Sequence, residues 1–156
     1  MEDKTPSFFR FEDLRIYGKA VDYANWILGT LREARTDNEK QFSHAFVNSA
    51  MDIALNIAEG SARSKSQFDH YLKISKTAIR ECVVYTTIAS RCGLLTEYDA
   101  ERSRDLLMEQ TRMIGALIMS LQRGAKRPVD NEFDHEEPIQ DDLNFEDNFN
   151  MESDLA

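Results

Sequence analysis

A chain of 156 residues, 42% hydrophobic and 10% aromatic, is long enough for one domain with a real core and too apolar for a disordered one. Two cysteines exclude a disulfide framework, and no apolar run approaches the roughly 18 residues of a membrane span. The net charge of −9 is unevenly divided: up to Arg127 there are 19 Lys+Arg against 17 Asp+Glu, and beyond it no base against 11 acids.

Residues 1–10 read as an amino-terminal arm. The opening MEDKTPSFFRF has no basic region followed by an apolar run, so no signal peptide is expected and the protein is read as cytoplasmic. All three prolines lie at positions 6, 128 and 138, so residues 11–127 are free of the strongest helix breaker. Four periodic segments fill that span. The first starts near Glu12 and Asp13 and places Leu14, Tyr17, Val21, Ala24, Leu28 and Leu31 at alternating spacings of three and four, which predicts them as the core seam. Ile16, Ala20, Tyr23 and Ile27 widen the apolar sector beyond one stripe, and Trp26 falls on the far side among Arg15, Lys19 and Asp22. A bundle helix needs a single apolar sector. Ile16, Tyr23, Trp26 and Ile27 are therefore predicted to contact another subunit.

The second segment opens with the capping-box pattern Thr36–Glu39 and carries Phe42, Phe46, Ala50, Ile53 and Ile57, with Gly60 as its terminating residue. The third is predicted to be capped by Ser66, with Asp69 three residues on; its stripe is Phe68, Leu72, Ser75, Ile79, Cys82, Thr86 and Ala89, ending before Gly93. The fourth opens at Thr96–Asp99 and runs through Leu106, Met113, Leu117 and Leu121 to a basic end at Arg123, Lys126 and Arg127. Short connections make consecutive helices antiparallel. The expected fold is all-α, an up-down-up-down four-helix bundle over residues 11–127. The acidic stretch 128–156, with scattered Phe133, Leu143, Phe145, Phe149 and Met151, reads as a disordered tail.

Chemistry-bearing patterns are sparse. The one Glu-x-x-His motif, Glu132–His135, lies in the tail, and the chain has neither a Gly-rich phosphate loop nor a nucleophile elbow. No enzyme activity, metal or cofactor is expected. Cys82 lies within an apolar stripe and reads as a buried free thiol. On one helix, Cys82 and Cys92 would stand roughly 15 Å apart, too far for a disulfide. Glu59 at a helix carboxyl terminus opposes the dipole, so an ion pair with Arg63 or Lys65 is expected. Lys73, Lys76 and Arg80, at i, i+3 and i+7, share a helix face, and Arg63 and Lys65 precede it. These five, with Arg123, Lys126 and Arg127, are the candidate phosphate contacts. The alternative is an ordinary solvated charged face.

Two stretches carry a family likeness. FEDLRIYGKA, Phe11–Ala20, and NIAEGSAR, Asn56–Arg63, followed by Phe68, Leu72, Ile74, Glu81 and the turn Gly93–Leu95, resemble the four-helix bundle proteins encoded in intervening sequences of bacterial large-subunit ribosomal RNA. Asn56, Glu59, Gly60 and Glu81 are the signature positions. That family is in turn similar to the accessory variability protein of diversity-generating retroelements, a pentamer that binds nucleic acid and a reverse transcriptase. The resemblance implies a homo-oligomer, five subunits by analogy alone, and RNA, DNA or a reverse-transcriptase-like protein as partner. Where the family commonly has two basic residues this chain has Asn48 and Ser49. Asp52 replaces a serine and Thr77–Ala78 a Gly-Ser pair, which makes that face less favourable to phosphate. The function expected is a non-enzymatic homo-oligomeric adaptor for nucleic acid or a ribonucleoprotein; alternatively, it is a protein-binding scaffold. The tail is expected to compete with nucleic acid for the basic face.

Overall fold

The computed structural model describes residues 5–125. Within them a single turn of 3-10 helix, Arg10–Asp13, leads into four α-helices: α1 Arg15–Thr30, α2 Asp37–Ser61, α3 Lys65–Arg91 and α4 Glu97–Ala125. There is no strand among the described residues. The predicted acidic tail, with Lys126 and Arg127 ahead of it, lies outside them.

Each helix packs on its chain neighbours, and α1 closes the ring against α4. Side-chain pairs give the directions. Lys19 meets Glu109 and Trp26 meets Arg102; Ser49 meets Glu81 while Phe42 meets Tyr85. Thr86 meets Ser103, and Lys65 lies over Gly124. Rising numbers on one helix face falling numbers on the next, so the bundle is antiparallel throughout, as expected from the short connections.

The turns follow from local chemistry. Thr36 accepts a hydrogen bond from the Glu39 N–H at 3.1 Å, while the Glu39 carboxylate reaches one residue further back than in a standard capping box, to the Arg35 N–H at 2.7 Å. The α3 cap is Ser64, whose hydroxyl accepts from the Gln67 N–H; the predicted cap Ser66 lies inside the helix. Gly93 has φ +77°, and the bonds Leu94 N–H to Ala89 C=O and Gly93 N–H to Ser90 C=O close α3 in a Schellman motif.

The core departs from expectation in two helices. In α2 and α3 the predicted stripes are largely the buried ones: Phe46, Ala50, Ile53 and Ile57 face Leu72, Ser75, Ile79, Cys82, Thr86 and Ala89. In α1 the buried row is Ile16, Ala20, Tyr23 and Ile27, which includes three of the four residues expected at an oligomer contact, Ile16, Tyr23 and Ile27. They fill the bundle centre and are unavailable to a second subunit. Trp26 is half-buried at the α1–α4 seam, beside Tyr23 and under the Arg102 guanidinium at 5.9 Å. The outward row is the predicted seam, with Val21 and Leu28 exposed. In α4 the buried row is Ala100, Ser103, Leu107, Gln110, Ile114 and Ile118; Leu106, Met113, Leu117 and Leu121 are only partly covered. Both helices carry two adjacent apolar rows, and the rotation is decided elsewhere: the buried Tyr23 hydroxyl meets Ser103 at 2.8 Å, and Ser103 meets Thr86 at 2.7 Å. A buried phenol without such a partner would bear a desolvation cost.

Gly60 is not a terminating residue. It lies within α2, where a Cβ would stand 2.5 Å from the Tyr71 Cβ and 2.9 Å from the Phe68 ring. Overpacking there predicts that Gly60→Ala lowers stability by about 1–3 kcal/mol. Gly18→Ala, with nothing within 4 Å, should be neutral or mildly stabilising. Denaturant unfolding of the two variants checks the contrast.

Candidate interaction surfaces

Three surfaces hold the residues that sequence reasoning singled out or passed over. The first is basic. Arg63, in the α2–α3 turn, is engaged with the Glu59 carboxylate one helical turn earlier, and its guanidinium lies 5.4 Å from the Tyr71 ring centre. The hydrogen bond to Glu59 raises the Arg63 pKa further. The expected Glu59 ion pair is thus present, with Arg63 rather than Lys65. Asn56 donates to the Asp52 carbonyl of its own helix at 2.8 Å, while the signature Glu59, through Arg63, and Gly60, against Tyr71, serve the shape of the α2–α3 hairpin.

Lys73 pairs with Asp69 at 3.3 Å. Lys65, Lys76 and Arg80 form no ion pair among the described residues. The Lys65 ammonium sits 3.2 Å from where a Cβ of Gly124 would stand, beside the last turn of α4, which presents exposed Arg123. One end of the bundle therefore gathers Lys65 and Arg123, with Arg63 in the turn between α2 and α3. Arg80 stands on the exposed side of α3, and Lys76 is half-buried on the same helix.

The second surface is acidic and lies along the α2–α3 seam. Ser49, buried to 6% exposure, donates to the fourth signature residue, Glu81, at 2.8 Å. A hydroxyl thus answers that carboxylate where a cation would neutralise it. Asp52 lies close by: partial burial, then the charge of Glu81, raises its carboxyl above the ordinary range. Burial first, with Glu81 and Asp52 adding to it, pushes the Cys82 thiol up to about 12. Among the described residues no group of three or more His, Cys, Asp or Glu side chains is arranged to hold a metal ion.

The third surface is not apparent in the sequence, because its α1 residues read as the core seam and its α2 residues lie outside the predicted stripe. Val21, Ala24 and Leu28 of α1 stand opposite Val47, Met51, Leu55 and Ala58 of α2, and Phe11 and Tyr17 close one end. Together they line an open groove of about 420 Å³ whose surface is almost wholly apolar, with Asn25 among the lining residues. Leu28 is 64% exposed and Leu55 60%. The surplus of apolar positions in α1 was the legible signal; which row faced outward was not. The groove is a contiguous apolar strip left open to solvent on the helix faces. No helix among the described residues is long and apolar enough to cross a membrane.

Residues 12–116 match the family model of the 23S rRNA-intervening sequence protein. The match spans well over half of the chain, and the chain belongs to that family. No curated protein matches it.

The thiols give a direct test of these environments. Cys92 is exposed and Cys82 buried, so alkylation at pH 8 should modify Cys92 within minutes and Cys82 only on unfolding; mass spectrometry after limited labelling reads this out. Because folding raises the Cys82 pKa, the native state retains a proton that the unfolded chain releases. The stability tied to this thiol is complete below its ordinary value of roughly 8.5. It should decline as the pH climbs towards about 12. Denaturant midpoints at pH 7 and pH 10 compare the two, and the second should be lower.

Proposed function

We propose that this member of the 23S rRNA-intervening sequence protein family is a non-enzymatic adaptor that self-associates through the apolar α1/α2 face and offers cations of α3 and the bundle end to RNA, DNA or a ribonucleoprotein. The observation that carries the reading is the groove between α1 and α2. Val21, Leu28, Met51 and Leu55 are all exposed there, on a face of rigid helices. Apolar side chains aligned on one face gain most by meeting another protein surface. The basic row supports the second half. Lys65, Lys76 and Arg80, with Arg123 across the bundle end, are cations without a carboxylate partner among the described residues, and unpaired cations are the ones able to neutralise phosphates.

A second reading, a protein-binding scaffold with no affinity for nucleic acid, is favoured by a specific observation. Two of the five basic residues in the α2–α3 region, Arg63 and Lys73, are already spent on Glu59 and Asp69, and Asp52 and Glu81 put negative charge on the same helix pair.

Two measurements separate the readings. Light scattering at micromolar concentration should give a mass several times that of the 18.0 kDa chain; Leu28→Asp, on the groove, should reduce it towards one. A monomeric wild type would remove the self-association reading. Filter binding with structured RNA should show affinity that falls steeply with salt. The double variant Lys76→Ala/Arg80→Ala should flatten the log–log salt slope by about 2. No complex at low salt, even after deletion beyond Arg127, leaves the scaffold reading standing. If the acidic segment competes for the basic face, the same deletion tightens RNA binding and steepens its slope.

A further inference from the structure

The groove between α1 and α2 has no occupant among the described residues, while a few residues away two aromatic rings stand in water. Phe8 is 92% exposed and Phe9 55%. They belong to a short arm that is held in place. The Ser7 N–H donates to the Asp13 carboxylate at 3.2 Å, and the rings of Phe9, Phe11 and Tyr17 contact one another in series, at 5.8 and then 5.0 Å between centres. Phe11 and Tyr17 line the near end of the groove, yet neither Phe8 nor Phe9 does. The arm therefore begins at the groove, with its two leading rings outside it.

We infer that the arm carrying Phe8 and Phe9 docks into the α1/α2 groove of a second copy of the chain. The inference rests on the self-association reading above and names the segment that accomplishes it. Phe8 meets Phe9 edge-on, with ring centres 5.1 Å apart, and Phe9 is held against Phe11. Phe8 is thus the outermost ring of the series and the one able to enter a neighbour. The groove suits an aromatic ring: Leu28 and Leu55 wall it, and Met51 adapts to the shape of an incoming group. Asn25 offers a carboxamide that can pair with the main chain of an extended segment, as each such segment brings N–H and C=O groups that need partners.

The alternative occupant from this chain is the acidic segment beyond Arg127, which also contains phenylalanines. Charge disfavours it. That segment carries 11 acids and no base, and the outer positions flanking the groove include Asp22 and a Glu59 already paired with Arg63. The cations beyond its Leu28 end, Arg32 and Lys40, are already paired with Glu39 and Asp37. The arm, by contrast, brings Arg10. Because arm and groove are different patches, the contact is heterologous and propagates from copy to copy until a ring closes.

The test uses full-length chains carrying Cys92→Ser to remove the exposed native thiol. A Phe8→Cys chain is mixed with a Leu28→Cys chain under mild oxidation. A Phe8→Cys chain mixed with Tyr98→Cys, exposed at the start of α4, is the control. A disulfide between the two different chains is expected in the first mixture and not in the second. In parallel, Phe8→Ser/Phe9→Ser should raise the dissociation constant of the assembly at least tenfold, with the helical circular dichroism unchanged. Absence of the first cross-link, or equal cross-linking in the control, while light scattering still reports an assembly, overturns arm docking and leaves self-association intact. A monomeric wild type overturns both.

Discussion

A buried phenol hydroxyl must find a partner, and in this bundle the search sets the rotation of two helices. Tyr23 is fully enclosed, its burial pushing the phenol pKa well above the ordinary value, so it remains a neutral hydrogen-bonding group. Its hydroxyl meets Ser103 of α4; Ser103 meets Thr86 of α3; Thr86 donates back to the Cys82 carbonyl at 2.7 Å. Three helices are thereby tied through a chain of small hydroxyls at one level of the core. Turning α1 by one residue would bring the Tyr17/Val21/Ala24/Leu28 row inside. It would also carry the tyrosine away from its partners and leave polar groups of α3 and α4 unmatched, at a cost of about 1–3 kcal/mol each. The exposure of Val21 and Leu28, and with it the groove, is a consequence of that constraint.

The other half of the bundle is governed by close approach. Gly60 lets the Tyr71 and Phe68 side chains of α3 come within a distance no side chain would permit. Around it Arg63 binds Glu59 and lies over Tyr71, fixing the turn. Of the residues that mark the family, Glu59 and Gly60 thus record how α2 and α3 meet. Family membership consequently carries the architecture more directly than any partner, since function resides in the surfaces set on the fold. Those surfaces are where this chain has its own character. Asn48 is exposed, Ser49 is turned to Glu81, and Asp52 crowds the same carboxylate.

The groove and the basic row occupy different sides of the molecule, one between α1 and α2 and the other on α3 and the neighbouring bundle end. Assembly through the first leaves the second open to a polyanion, so the two halves of the proposed function are compatible within one subunit. Repetition of a modest basic surface around an assembly also raises its effective strength, because each additional contact is made at high local concentration. Three unpaired cations and Arg123 on a single chain would bind phosphate weakly; several copies arranged together would not.

The sequence by itself determined the number of helices, their approximate limits, the α1–α2 and α3–α4 turns and the buried stripes of α2 and α3. Helical period, Thr36, Thr96 and Gly93 act locally, through hydrogen bonds and backbone angles spanning a few residues. It also carried the ion pair of Glu59, because a carboxylate at a helix end needs a cation within one turn. Only the tertiary structure decided which of two neighbouring apolar rows faces inward in α1 and α4. Ile16, Ala20, Tyr23 and Ile27 compete with Tyr17, Val21, Ala24 and Leu28 at nearly equal hydrophobicity. Period alone does not rank two stripes one residue apart. The choice was made by a residue 80 positions away, Ser103, whose hydroxyl awaits Tyr23 across the core. Likewise Gly60 reads as a helix terminator until Tyr71 arrives against it, since the contact that requires glycine exists only between helices.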